Sequence, residues 1–318
     1  MKRPSLVVLA ASLLFAAGAL AQSAPPVQDW SNVETITVTA PRAGPALWHI
    51  SRNGSDIWIL GIVSPVPDKL NWSQDEVTDI IKGANTVYLL PELKAGLFEA
   101  GWFLLTGMHT LKQPDGQTLL GSLPPDIRTR YAAWLARLGE DADTDEDYLP
   151  AIAAFDLERS FRTHDGLDGR ELNSQIDRIA DHNDVTTKPV ASLEAMPVVD
   201  EVPKLSPEAQ ANCMRDALDD IDAQSVHAAA AAQAWATGDL AGLKAHYSDA
   251  KLYSCFDQTK TFAVYRDQVV GETMNAVHES VTKPGKSLIV VSLGYLLRKD
   301  GLLDRLKAED ITVEGPPH

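Results

Sequence analysis

Histidine is the residue type that would most directly give this chain catalytic or metal-binding chemistry, but its spacing forms no motif. The eight histidines are His49, His109, His164, His182, His227, His246, His278 and His318. No two are four positions apart, and none lies in the H-E-x-x-H pattern of zinc-dependent proteases. Glycine-rich phosphate loops are also absent, because Gly61 and Gly294 are isolated. Scattered histidines are usually surface or hydrogen-bonded core residues, so their spacing alone predicts no site.

Four aspartates cluster on a predicted helix, at Asp216, Asp219, Asp220 and Asp222. A calcium-binding loop needs alternating acidic residues around a central glycine, and this run has no such glycine. A run of like charges on a helix is typical of a face exposed to solvent. The sequence therefore predicts a solvated helical face.

The amino terminus has the three parts of a secretory signal peptide. Lys2 and Arg3 precede an apolar run, Leu6 to Ala17, and the small-x-small site Ala19-Leu-Ala21 follows. The run is shorter than the roughly 20 residues that a membrane span needs. A buried helix is the alternative, but such helices rarely begin with a bare basic cluster. We expect cleavage before Gln22 and a periplasmic or secreted protein.

The charge of the chain limits its partners. Loss of the two basic leader residues lowers the formal charge from −16 to −18. Such an acidic surface repels phosphate backbones, so nucleic acid is not an expected partner. The longest later apolar stretch, Ser287 to Leu297, is too short for a membrane span. We expect a soluble mature protein.

Only two cysteines are present, Cys213 and Cys255. Their spacing lacks the close pairs of a zinc site. An exported chain meets an oxidising compartment, and an even number of cysteines there favours a disulfide. The sequence predicts a Cys213–Cys255 bridge, with two separate buried thiols as the alternative.

The chain divides into a leader at residues 1–21, a linker at 22–45 and one folded domain at 46–315. The linker is rich in Pro, Ser and Ala and contains the segment Glu34-Thr-Ile-Thr-Val-Thr-Ala40. This segment is similar to the short boxes by which outer-membrane receptors engage the TonB protein. An unpaired or edge strand is the ordinary alternative.

The start of the domain predicts a hairpin followed by a βαβ unit. Trp48–Ile50 and Ile57–Leu60 are rich in β-branched and aromatic residues and flank Asn53-Gly54, a strong hairpin turn. A helix with an apolar face and the strand Thr86–Leu90 follow. Strand, helix and strand in this order predict a parallel pair.

The remaining pattern is mostly helical. Residues 96 to 165 predict helices, and a short strand, Pro189–Leu193, ends at Glu194. A long alanine-rich helix begins at Pro207, a strongly apolar strand covers Ser287–Ser292, and Ile311–Val313 predicts the last strand. The fold class predicted is α/β, a central mixed β-sheet with flanking helices and a helical middle region.

The order of several segments resembles the TraB/GumN family, which also includes the Tiki proteins that clip Wnt ligands. The segments are Ala46–Ile50, Gly61–Ser64, Lys188–Glu194, Asp300–Leu303 and Thr312-Val313. The resemblance implies a metal-dependent, hydrolase-like site in which two G-x-x-H motifs and intervening acidic residues hold a divalent ion. Such an ion lowers the pKa of its bound water.

The chain departs from this family pattern at the positions implied to bind metal. Ser64 replaces the first motif histidine, and Tyr295 replaces the second. Asn173 stands where the family has an acid before its middle helix, and Leu90 where it has an acid after the second strand. Glu92 follows two positions later. The sequence therefore predicts no metal site and no bound cofactor.

Two other positions of the family pattern persist, Glu194 and Arg266. Glu194 either faces the crevice or caps the next segment, and Arg266 pairs with it, binds an anionic ligand or forms an ordinary ion pair. Ser64 is a turn residue or a nucleophile, and Tyr295 donates a hydrogen bond or packs in the core. The candidate catalytic residues are Ser64, Glu92, Glu194, Arg266 and Tyr295.

Three functional hypotheses follow. The first is an exported, degenerate TraB/GumN-like protein that binds a peptide or glycan ligand without catalysis. The second is an active hydrolase or peptidase with a rearranged site. The third is a partner protein of an envelope transport system that makes contact through the Glu34 to Ala40 segment.

Overall fold

A computed structural model describes residues 44–96, 107–141, 143–167, 170–257 and 259–316. The predicted leader, nearly all of the linker and the segment Glu34 to Ala40 lie outside these residues. Within them, no helix is both long enough and apolar enough to cross a membrane.

The strands and helices of the described residues have the following bounds. The strands are β1 Leu47–Arg52, β2 Ser55–Ile62, β3 Ala84–Leu89, β4 Glu92–Lys94, β5 Thr187–Pro189, β6 Ser192–Glu194 and β7 Gly285–Ser292. The α-helices are α1 Asp75–Ile81, α2 Leu119–Ser122, α3 Pro125–Leu138, α4 Pro150–His164, α5 Arg170–His182, α6 Met196–Val199, α7 Pro207–Ala236, α8 Leu240–His246, α9 Lys260–Val281, α10 Leu293–Leu297 and α11 Leu302–Ala308. Short 3-10 helices cover Met108–Leu111, Val202–Lys204 and Leu252–Phe256.

Five strands form the main sheet, in the order β1–β2–β7–β3–β5. β1 runs antiparallel to β2, whereas β2, β7, β3 and β5 are parallel. β4 and β6 form a separate two-stranded parallel sheet. The predicted α/β class, with a central mixed sheet and flanking helices, is confirmed.

The hairpin forms as predicted. Arg52 pairs with Ser55 across the turn, and Asn53 and Gly54 have φ values of 55° and 77°. Positive φ at both central residues defines the turn whose twist matches that of the flanking strands, and Asn-Gly adopts it at low cost. The turn therefore fixes the register of β1 on β2.

The predicted βαβ unit has the right strand direction, but its two strands are not neighbours. β7 lies between β2 and β3 and pairs with both. Its residues 287 to 291 are all buried, which suits a central parallel strand covered on both faces. The most apolar strand thus occupies the centre, although it comes last in the chain.

The single strand predicted at Pro189–Leu193 is two strands, β5 and β6. The paired segment is interrupted at the same level, where β3 ends at Leu89 and β4 begins at Glu92. Val190 N donates to Leu89 O at 2.9 Å, so the two interruptions are hydrogen-bonded to each other. Both segments therefore leave the main sheet side by side and pair again just beyond it as β4 and β6.

The strand predicted at Ile311–Val313 is absent. Only the next residue, Glu314, pairs with β1, exchanging backbone hydrogen bonds of 2.9 and 2.8 Å with His49. A single bridged pair covers part of the outer edge of β1 without extending the sheet.

Two hydrophobic cores share the long helix α7. The first surrounds the main sheet and includes Ala231 to Ala236 at the carboxyl end of α7. The second packs α3 and α4 against residues Ala211 to Ile221 of the same helix. Trp235 is fully buried in the first core, and its Nε1 donates to the Gly61 carbonyl oxygen at 2.7 Å.

The predicted disulfide is confirmed. Cys213 of α7 and Cys255 of the 3-10 helix are bridged, with a Cα–Cα distance of 5.1 Å. Both residues are buried in the second core. The bridge closes a loop of 42 residues and joins α7 to the segment that leads into α9.

The acidic cluster on α7 is not the solvated face that the sequence predicts. Arg130 of α3 binds Asp219 and Asp222 at 2.9 and 2.7 Å. Asp220 is 3% exposed and accepts hydrogen bonds from the backbone N–H groups of Lys251 and Leu252. The prediction failed because the partners lie on distant segments that fold back onto α7.

Candidate functional site

The four parallel strands end at the same edge of the sheet, and the candidate residues follow those ends. Ser64 and Tyr295 come after the neighbouring strands β2 and β7, and Glu92 and Glu194 come after β3 and β5. Ligand sites of open α/β sheets commonly lie at this carboxyl edge. We call the residues that follow these four strands the strand-end site.

Ser64 lies exposed in the turn after β2, and its peptide bond to Pro65 is cis. The hydroxyl makes no hydrogen bond with a histidine or carboxylate among the described residues. A serine nucleophile needs such a base within hydrogen-bond reach. The geometry is that of a turn residue.

Tyr295 lies in the first turn of α10, where its N–H donates to Ser292 Oγ at 3.3 Å. The Arg298 guanidinium lies over its ring, 5.6 Å from the centroid. Its hydroxyl is buried and has no hydrogen-bond partner within the described ranges. Burial raises the pKa of Tyr295, so the group is a neutral phenol at physiological pH.

Asn173 and Leu90 bind each other at the end of β3. The Leu90 N–H donates to Asn173 Oδ1 at 3.2 Å. The two positions at which the resemblance implies acids are thus joined by a backbone-to-amide hydrogen bond. Asn173 uses its carbonyl oxygen to hold the strand end.

Glu92 and Glu194 lie on opposite strands of the two-stranded sheet. Glu92 pairs with Ser192, and Glu194 pairs with Lys94, two positions further along. Glu92 Oε1 accepts a hydrogen bond from Ser192 Oγ at 2.8 Å and forms an ion pair with Lys94 at 2.9 Å. The bonds from Lys94 and Ser192 lower the pKa of Glu92. Glu194 has an exposed side chain, and its backbone carbonyl accepts from Tyr265 Oη at 2.9 Å. Glu92, which Lys94 and Ser192 keep ionised, is therefore a poor proton donor.

Arg266 forms an ordinary ion pair, which was one of the predicted alternatives. Its Nη1 lies 3.1 Å from Asp257 Oδ1, and Asp267 lies 4.0 Å from its Nε. The preceding residue, Tyr265, reaches the backbone of Glu194, but the guanidinium is paired with Asp257 instead of Glu194. The structure therefore does not bring Arg266 and Glu194 together as a pair.

Asp249, an acidic residue beside β7, was not among the candidates predicted from the sequence. Asp249 accepts a hydrogen bond from the buried Tyr247 hydroxyl at 3.0 Å and lies against Gly294. A Cβ at position 294 would come within 1.6 Å of Asp249 Oδ1, so any larger residue there would require the Asp249 side chain to move. Burial raises the pKa of Asp249, although the bond from Tyr247 and the charge of Arg298 oppose the rise. No motif surrounds Asp249, so its role could not be predicted from the sequence.

The residues at the strand ends do not fit the divalent ion that the resemblance implies. Among the described residues, no three His, Cys, Asp or Glu side chains converge to hold a metal. Ser64 offers a neutral hydroxyl, Tyr295 a neutral phenol, and the amide oxygen of Asn173 is already bonded. Stable binding needs at least three well-placed ligands.

We expect protein dialysed against a chelator to retain no stoichiometric zinc, manganese or cobalt. The double substitution Ser64→His and Tyr295→His places imidazoles after two adjacent parallel strands and is expected to create or strengthen metal binding there. Elemental analysis of both proteins measures the outcome. About one retained ion per wild-type chain would contradict this prediction and mean that other residues of the chain bind the metal.

A surface groove lies elsewhere. It has a volume of about 670 Å³ between β1, α11 and the chain that follows α11, and it includes Trp48, Leu303, Lys307, Asp310, Ile311 and Val313. None of the five candidate residues lines it.

The fold and the order of these segments agree with one family model. The TraB/PrgY/gumN family model matches residues 46–315, and the chain belongs to this family. No curated protein and no solved structure matches the chain significantly.

Proposed function

We propose that the chain is an exported, non-catalytic member of the family that binds an extended peptide at the strand-end site. The leader sequence and the disulfide support export, because disulfides persist in oxidising compartments. The geometry of the strand ends supports the absence of catalysis and the choice of a peptide as the ligand.

The observation that carries the proposal is that three polar side chains at or near the strand-end site are already bonded to neighbouring residues. Glu92 is held by Ser192 and Lys94, Arg266 by Asp257, and Asn173 by Leu90. A hydrolase needs a nucleophile or activated water beside a base. Here the side chains of Glu92, Arg266 and Asn173 already form structural bonds with their neighbours. This favours binding over catalysis.

β4 offers an edge along which a peptide can bind. Glu92 N donates to the Ala191 carbonyl, and Ala195 N donates to the Lys94 carbonyl. In a parallel pair alternate residues face the partner, so the backbone groups of Leu93 point away from β6. The Leu93 side chain is 64% exposed. Strand addition uses such backbone groups for affinity and side-chain contacts for specificity.

Tyr295 supplies a further binding group. Its buried hydroxyl has no partner among the described residues, and a buried donor without an acceptor costs about 1–3 kcal/mol. A carbonyl oxygen of a bound peptide would satisfy it. We infer that Tyr295 contributes to binding rather than to proton transfer.

Panning a phage-displayed library of random dodecapeptides on the mature protein tests the proposal. We expect enriched peptides whose affinity falls at least about tenfold in Leu93→Lys, because the charge disrupts the apolar edge. Val226→Lys is the matched control, since Val226 is 59% exposed on α7, away from the strand ends.

Three results would contradict the proposal. Enriched peptides that bind both lysine variants like the wild type would place the peptide elsewhere. Cleavage of a fluorogenic peptide pool by the wild type, lost in Glu92→Gln, would support the rearranged hydrolase. Retention of glycans with no enrichment of peptides would favour a glycan ligand.

A further inference from the structure

Two histidines that are distant in sequence meet on the hairpin of α7 and α8. His227 lies on α7 and His246 ends α8, and their Nδ1 atoms are 3.4 Å apart. The ring centroids are 5.6 Å apart. Their separation of 19 positions gives no spacing motif, so the pair arises from the fold alone.

The hairpin holds the two rings in fixed positions. Gly238 adopts a φ of 65° between the helices, and Asp239 caps α8 by accepting from Gly242 N at 2.9 Å. The carboxyl end of α7 is anchored in the first core by Trp235. A ligand that binds both rings would therefore meet a preformed pair.

The distance between the two nitrogens matches tetrahedral metal coordination. Zinc–imidazole bonds of about 2.0–2.1 Å at a tetrahedral angle place two ligand nitrogens about 3.3–3.4 Å apart. A hydrogen bond joins the two rings through these nitrogens, and its length of 3.4 Å agrees with the separation that a metal ion would need.

A third donor lies one helical turn before His227. The side-chain oxygen of Gln224 is buried and has no hydrogen-bond partner among the described residues. Residues three apart share a helical face, so Gln224 and His227 lie on the same face of α7. We infer that the unsatisfied carbonyl oxygen of Gln224 is the third donor of an N₂O set.

We propose that His227, His246 and the side-chain oxygen of Gln224 bind a borderline divalent cation, Cu²⁺ or Zn²⁺. Imidazole nitrogens suit both ions, and copper is expected to bind more tightly. Water would complete the coordination, so the ion exchanges and a chelator removes it. This site is separate from the strand-end site and does not depend on the proposed peptide binding.

Isothermal titration of the chelator-treated mature chain with copper and zinc chlorides tests the proposal. We expect about one ion per chain, and at least about tenfold weaker binding in His227→Ala and in His246→Ala. Gln224→Leu is expected to weaken binding less. His278→Ala is the matched control, because His278 also lies on a helix but binds Glu309 at 2.6 Å.

Electron paramagnetic resonance of the copper-loaded chain gives an independent readout. We expect nitrogen hyperfine coupling in the wild type and its reduction in either single alanine variant. Unchanged unfolding midpoints without metal would show that the variants are folded. Wild-type affinity in both alanine variants, or no binding of either ion at millimolar concentration, would overturn the proposal.

Discussion

Replacing Cys213 and Cys255 together with alanine is expected to lower the free energy of unfolding by about 4 kcal/mol. The bridge closes a loop of 42 residues, and the chain-entropy model assigns roughly this stabilisation to a loop of that length. The unfolding midpoint should therefore fall by several degrees. Thermal and denaturant unfolding of the wild type and the double variant measure the loss.

Reductant supplies the control for the disulfide prediction. It should lower the midpoint of the wild type and leave that of the double alanine variant unchanged, because only the wild type has a bond to reduce. Equal midpoints for the oxidised wild type and the variant would contradict a stabilising bridge.

Removing the Asp220 carboxylate by substitution with alanine is expected to cost about 3 kcal/mol. The carboxylate is buried and accepts from the N–H groups of Lys251 and Leu252, at 2.7–2.9 Å. Each buried donor left without an acceptor costs about 1–3 kcal/mol. Asp216→Ala is the matched control. Asp216 lies one turn earlier and accepts a single hydrogen bond from the described residues of the same segment, from the Ser254 hydroxyl, so its loss should cost much less.

The cost of Asp220→Ala should also depend on pH. Burial raises the pKa of Asp220 to about 6, although the backbone hydrogen bonds oppose the rise. Between the unfolded value near 4 and this folded value, the folded chain binds more protons. The stability contributed by the protonated group is therefore lost as pH rises through about 6. The alanine substitution should cost more at pH 5 than at pH 7, and an equal cost at both would contradict the raised pKa.

The sequence predicted the elements whose determinants are local. Asn53-Gly54 fixed the hairpin because its turn geometry depends on two residues, and the apolar run at Ser287 to Ser292 was sufficient to predict β7. The order of the strands is not local. Nothing near Thr86 indicates that its neighbour is a strand formed by residues 200 positions later.

The difference between local and distant determinants also decides which site residues could be predicted. The resemblance identified the strand ends, and the structure places Ser64, Glu92, Glu194 and Tyr295 after the four parallel strands. The partners of these residues could not be predicted, because the bond between Asn173 and Leu90 spans 83 positions. Asp249 and the pair of His227 and His246 lie in no motif, since each takes its environment from distant segments.

Helix α7 has a consequence for how the molecule responds to stress. Its 30 residues span about 45 Å, and one continuous ladder of backbone bonds passes from the helical core into the sheet core. Fraying at one end would expose Trp235, and fraying at the other would expose the surroundings of Cys213. Unfolding of either core would therefore open part of the helix that supports the other core. Slow amide hydrogen exchange along the whole of α7 would be the signature of this coupling, with opening only in a global event.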